Sequence, residues 1–196
     1  MTRDRTLGRA LVATARRALD AAFGRPVEPA PAHDALGRPG ATFVTLKQRG
    51  ELRGCIGSLE PRRALAVDVR HNALAAAFED PRFAPLAIHE LDATAVEVSL
   101  LSPASPVEVS GEQELVARLE PGVDGIVLEL GQRRATFLPQ VWESLSDPRD
   151  FIGALKRKAG MPAHFWSPEI RVSRYTVATW HQADFDRELA ADEAQR

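Results

Sequence analysis

Apolar residues recur at intervals of three and four through Leu7, Ala10, Leu11, Ala15, Ala18, Leu19 and Ala22, which lays them along one stripe of an amphipathic helix. The next stretch, Gly24 to Gly40, carries Pro26, Pro29, Pro31 and Pro39. Proline supplies no N–H and fixes φ, so this stretch reads as an extended connection wrapped over the surface. The pattern then changes period. Ala41 to Lys47 alternates β-formers, and Gln48-Arg49-Gly50 separates it from Glu51-Leu52-Arg53, as in a hairpin whose returning strand runs into a bend at Gly54-Cys55-Ile56-Gly57. Pro61 to Phe78 reads as a second helix with Val67, His71, Leu74 and Phe78 on its apolar face, ended by Asp80-Pro81.

Val96, Val98 and Leu100 alternate with Ala95, Glu97 and Ser99, the signature of a half-buried strand. Ser110, with Gln113 three positions on, predicts a capping box opening a short helix through Leu119. Gly125 to Leu130 and Arg134 to Leu138 flank Gly131-Gln132-Arg133 and predict a second hairpin. Asp147-Pro148, the periodic Phe151, Ile152, Leu155 and Ala159, and the closing Gly160 and Pro162 mark a helix with both ends signalled. Ile170 to Trp180 is rich in β-branched and aromatic residues and predicts one long final strand. Hairpins and helices without regular strand–helix alternation indicate an α+β protein with a mainly antiparallel sheet and flanking helices. Residues 1–182 read as one domain and 183–196 as a charged tail.

Composition narrows the function classes. A chain of 196 residues with 44% hydrophobic content can bury a substantial core. Its 25 Lys and Arg against 27 Asp and Glu leave no global positive field, which disfavours nucleic acid as a partner. The first helix stripe is broken by Arg9, Arg16, Arg17 and Asp20, so neither a secretion signal nor a membrane span is expected. One Cys cannot form an internal disulfide, and a reducing cytoplasm is the expected location. No paired-Cys spacing, His-Glu-x-x-His, carboxylate loop or P-loop is present, and no cofactor or metal is expected.

Cys55 is the residue best able to carry chemistry. A free Cys is commonly a small buried hydrophobe, yet Gly54 and Gly57 would let the backbone bend or approach a ligand and present the sulfur. Arg53 is the candidate cation beside it, provided its guanidinium reaches the same side. A nucleophilic Cys wants a base, and His33, His71, His89, His164 and His181 carry no local mark of that role. His33 and His181 are expected to be exposed. Asp80-Pro81-Arg82-Phe83 reads either as a loop aiming Arg82 at an anion or as a helix stop whose charges bond nearby backbone. Gln140 follows a strand-ending Pro139, and Lys158 closes the late helix.

Six segments together resemble the AMMECR domain, protein A of the AmmeMemoRadiSam system. They are Leu52 to Gly57, Asp80 to Phe83, Val96 to Ser102, Gly122 to Val127, Phe137 to Val141 and Lys158-Ala159-Gly160, in the family's order and across nearly the whole chain. The resemblance implies two unequal, interwoven lobes with a cleft lined by the Arg-Gly-Cys-Ile-Gly segment, and it supplies no reaction. It implies a Memo-like protein and a radical-SAM protein as partners; the chain itself lacks the Cys triplet of an iron–sulfur cluster. Carried onto this sequence, it makes Cys55 the nucleophile or contact and Glu97 or Asp80 the proton acceptor. Arg53, Gly54, Gly57, Asp80, Arg82, Gln140 and Lys158 become the binding residues for a small or macromolecular substrate. A non-catalytic adaptor for the same partners is the alternative.

Overall fold

The computed structural model describes residues 4–186. The protein is α+β, and its strands form two four-stranded antiparallel sheets and one short ladder. Contacts divide the chain into two units. The first contains the described residues up to Leu101 and from Ala178 onward, and the second is Ser102–Val177.

In the first unit, helix α1 (Arg5–Ala22) starts at Asp4, whose carboxylate accepts from the main-chain N–H groups of Thr6 and Leu7. The ladder of β1 (Pro39–Gly40) and β4 (Arg63–Ala64) closes the approach to α2 (Leu65–Phe78). The sheet has the order β10–β5–β2–β3 and consists of Val177–His181, Thr94–Leu101, Thr42–Gln48 and Glu51–Gly57 in that order. One face packs against the helices through Val44, Leu46, Val96 and Val98, with Leu11, Leu19, Val69, Ala73 and Ala76 opposite.

The buried face of α2 only partly coincides with the expected one, since Leu74 and Phe78 pack against the core but two other members of that face do not. Val67 is 54% exposed and His71 is exposed, while Asp68, Asn72, Ala73, Ala75, Ala76 and Ala77 are buried. The two polar residues are tolerated inside because they are satisfied. Asp68 Oδ2 accepts from Thr42 N at 2.9 Å and Thr42 Oγ1 at 2.8 Å, its Oδ1 accepts from Ser58 Oγ at 2.7 Å, and Asn72 Nδ2 donates to Thr42 O at 2.9 Å. Ala side chains then let α2 come close to the sheet.

The second unit's sheet has the order β6–β9–β7–β8, formed by Ser105–Pro106, Arg171–Tyr175, Gly125–Leu130 and Arg133–Phe137. It packs with α3 (Glu112–Arg118) and α4 (Pro148–Lys158) around Leu115, Ile126, Leu128, Phe151 and Leu155. The expected capping box is replaced: Ser110 offers N–H and Oγ to Glu114, not Gln113, and Gly111 is the N-cap. The late helix starts as read, with Asp147 accepting from Arg149 N at 2.7 Å. The long strand expected over Ile170 to Trp180 is two, β9 and β10, parted at Thr176 and belonging to different sheets. The expected tail of 183–196 is corrected at its start, where Phe185 packs into the first unit's core, and its remainder, 187–196, lies outside the described residues.

Candidate functional site

The site grows out of the β2–β3 hairpin. Arg49 and Gly50 both have positive φ, 53° and 87°, which reverses the chain tightly with the twist of the strands. Thr45 faces Cys55 and Leu46 faces Gly54, but Lys47 faces Leu52, so Arg53 is an extra, bulged residue on β3. The Arg-Gly-Cys-Ile-Gly segment is therefore strand, bulged at Arg53, and not a bend. Its glycines serve close approach to the protein itself. A Cβ on Gly54 would lie 2.1 Å from Ala76 O of α2, and one on Gly57 would lie 2.2 Å from the Phe43 ring.

With Gly54 against α2, alternation puts Cys55 on the other face of the sheet. There its sulfur accepts from Thr45 Oγ1 at 3.3 Å, and the thiol is half-buried. Because β3 is an edge strand, the main-chain groups of Cys55 have no neighbouring strand on the outer side. The Asp-Pro-Arg segment takes that place. Asp80 Oδ2 accepts from Cys55 N at 2.8 Å, and Arg82 Nη2 donates to Cys55 O at 3.3 Å. Arg82 also binds both Asp80 oxygens, through Nε at 2.9 Å and Nη2 at 2.6 Å. That pairing, ahead of the Cys55 N–H bond, holds the Asp80 carboxyl far below the usual carboxylate range although burial opposes it. It likewise raises the Arg82 guanidinium. The Asp80 side chain is 2% exposed and that of Arg82 is 54% exposed, so the clamp has a buried anchor and an open cation.

Arg53 is placed differently. Its Nε and Nη2 reach the two oxygens of Glu90 at 2.9 and 3.0 Å, with the Arg53 side chain 14% exposed. This fork–fork pair draws the Glu90 carboxyl down to about 2, helped by the Ala87 N–H. Arg53 and Arg82 both lie over the Phe83 ring, at 5.9 and 5.5 Å from its centroid. Arg53 is thus a fastener of β3 to the Pro85–Glu90 segment, and Arg82 is the open cation near Cys55.

Register carries the face further. Thr45 stands opposite Cys55 on one side and Glu97 on the other, a row in which neighbouring strands are about 4.8 Å apart. Glu97 Oε2 meets Lys47 Nζ and His181 Nδ1, each at 2.9 Å, with the Glu97 side chain 14% exposed and that of His181 48% exposed. His181 is exposed as expected, but its neighbours make it part of the face. Glu90, Thr45, Lys47 and His181 carry no motif in the sequence; only the strand register brings them in. His71, His89 and His164 are exposed, and His33 accepts from Ala35 N and meets Asp4.

Gln140 and Lys158 belong to the second unit. Gln140 is exposed, and Lys158 Nζ donates to Thr136 O at 3.0 Å and lies over the Phe137 ring. Among the described residues no group of three or more His, Cys, Asp or Glu could hold a metal ion, and no helix is long and apolar enough to cross a membrane.

The AMMECR1 family model matches residues 12–180, running through both units. The chain belongs to the AMMECR1 family. A Methanothermobacter thermautotrophicus protein is 41% identical over 71% of this chain and 74% of its own length. One from Thermotoga maritima is 36% identical over 79% and 86%. The crystal structure of the uncharacterized protein PH0010 from Pyrococcus horikoshii superimposes with a TM-score of 0.74 at 31% identity, covering 89% of this chain and 90% of that one. In this AMMECR1 protein the matched region stops one residue short of His181.

Proposed function

We propose that this AMMECR1 protein is an enzyme, or the catalytic component of one, that receives a small or macromolecular substrate against the Cys55 face of the first sheet. What supports this reading above all is the row Cys55–Thr45–Glu97, completed by His181 on Glu97. A half-buried thiol, a hydroxyl that donates to it, and a carboxylate flanked by an ammonium and an imidazole are the parts of nucleophilic and acid–base chemistry. Cys55 is the nucleophile, Thr45 steadies negative charge on its sulfur, and Glu97 with His181 handles the proton. Arg82, open to solvent on its outer side, takes an anionic group of the substrate. The same proposal makes the Memo-like and radical-SAM proteins its partners, on the resemblance of the six segments, and places the site in a cleft.

The test is the reactivity of the thiol. Iodoacetamide should alkylate Cys55 faster in the folded chain than in the urea-unfolded chain, and Thr45→Val should slow it several-fold. A folded thiol that reacts no faster, together with a Cys55→Ala strain that retains the metabolite profile of its parent, would sink the catalytic reading.

The adaptor reading has its own observation: Asp80, Arg82, Arg53 and Glu90 all spend bonds on holding β3. In that case the purified chain co-elutes with the Memo-like protein at low salt, Arg82→Glu abolishes the complex, and Cys55→Ala leaves it intact.

A further inference from the structure

The first unit holds a groove of about 520 Å³ along α1, walled by Arg9, Val12, Arg17, Asp20, Val27 and Phe185 among others. Its size is that of a small-molecule site. None of its walls belongs to the Cys55 row.

Three arginines (Arg9, Arg16, Arg17) and three carboxylates (Asp20, Glu28, Asp186) line the groove, and they are not paired one to one. Arg16, also on the wall, is fully engaged: Nε donates to Asp20 Oδ2 at 3.1 Å, and Nη1 donates to the carbonyls of Leu91 and Thr94, each at 3.1 Å. Asp20 is further faced by Arg25 Nη1 at 3.9 Å, so its negative charge is already matched. Asp186 accepts from Gln182 at 3.3 Å, and Glu28 is exposed at the rim. Arg17 is the exception. Its Nη1 is buried and has no hydrogen-bond partner, which is costly for a charged donor unless something supplies the acceptor. Arg9 has no ion-pair partner among the described residues either. On an α-helix these two guanidiniums leave the axis about 12 Å apart, with Val12 and Ala13 forming an apolar floor between them. Asp20 Oδ1, buried and lacking a hydrogen bond, adds one site for a ligand hydroxyl or a water.

We infer that this groove binds an amphipathic organic anion: a carboxylate head held by Arg17 and steadied by Arg9, with an apolar body on Val12, Val27 and Phe185. An uncharged apolar molecule would leave Arg17 Nη1 unpaired, and inorganic phosphate would leave the apolar floor wet. The inference stands apart from the Cys55 chemistry.

The experiment is a fluorescence titration of the full chain with 1-anilinonaphthalene-8-sulfonate, followed by displacement. One saturable site is expected, displaced by octanoate and not by octanol. Arg17→Gln should weaken binding about tenfold, the scale of one charge-assisted hydrogen bond, and Arg9→Gln by a smaller factor, with Arg149→Gln on the exposed start of α4 as the charge control. If Arg17→Gln does not fold, as judged by its thermal melt, Arg9→Gln decides. Unsaturable dye binding, displacement by octanol as good as by octanoate, or folded Arg variants that bind like the parent would each overturn the inference.

Discussion

The two four-stranded sheets are packed by opposite means. The first lets a helix come close by removing side chains: Gly54 on the strand meets the main chain of Ala76 on α2, amid Ala73, Ala75 and Ala77. The second packs aromatic rings against its helix α4. Trp142 stacks on Phe151 at 3.8 Å between centroids, and Phe137 meets the same ring edge-on at 5.3 Å. On the other face of the first sheet Cys55, Thr45 and Glu97 stand in register across the strands, while the bonded polar group Asp68–Thr42–Asn72 is buried at α2. In the second unit the notable buried charge, Lys156, sits alone with Glu112 and the Phe165 carbonyl.

That contrast can be broken by mutation. Trp142→Ala should cost the most, about 4 kcal/mol in urea unfolding, because it empties a packed ring site and strands the Asp124 carbonyl that its Nε1 reaches at 2.7 Å; a loss under about 1 kcal/mol would mean that the aromatic filling is ornamental. Gly54→Ala should follow at about 3 kcal/mol, and Ala76→Gly should not rescue it, since the obstructing atom is a main-chain oxygen. Rescue would show that the helix is held away by side chains after all. Asp80→Ala should cost about 2 kcal/mol and speed hydrogen exchange at the Cys55 amide, whose acceptor it removes.

Smaller effects come from charge. The Glu90 carboxyl has a folded pKa of about 2 against an ordinary 4.5, so its contribution is complete above about pH 4.5 and is lost as pH falls toward 2. As a part-exposed pair it is worth about 1 kcal/mol, and Glu90→Gln should flatten the acid limb of the stability curve by that amount; an unchanged limb would remove Arg53 from its role as fastener. Last, Lys156→Met should be close to neutral in the second unit, because a buried ion pair and a well-packed apolar chain are near equivalents, while Glu112→Ala should cost more by leaving the ammonium unmatched.

The same contrast explains what could be read from the sequence. Where local signals decide structure, they were sufficient: Asp147-Pro148 and Gly160 bound α4, and Arg49-Gly50 turns β2 into β3. The expected face of α2 was misleading in half: Leu74 and Phe78 pack against the core, but Val67 and His71 are exposed. Ala approach and the Asp68–Thr42–Asn72 bonds turn the helix so that Val67 and His71 face outward, and no periodicity reveals a bonded Asp. The break at Thr176 was invisible because the β-branched and aromatic run continues unbroken through Tyr175, Thr176 and Val177 with no Gly or Pro to mark the change of sheet. Of the candidate residues, Cys55, Asp80 and Arg82 come together around one strand edge, which their motifs foreshadowed. The pairing of Glu97 with His181 depends on β10 lying beside β5 and has no trace in either segment.

That last adjacency bears on the order in which the molecule is made. β5 leaves the ribosome with only its partner β2 to pair with, and the whole of Ser102–Val177 must be synthesised before β10 arrives to take the other side. The nascent first unit therefore waits, an unfinished three-stranded sheet with Glu97 lacking its imidazole, while the inserted unit already has every strand it needs. The strand that closes the first sheet is thus the last of its strands to be made.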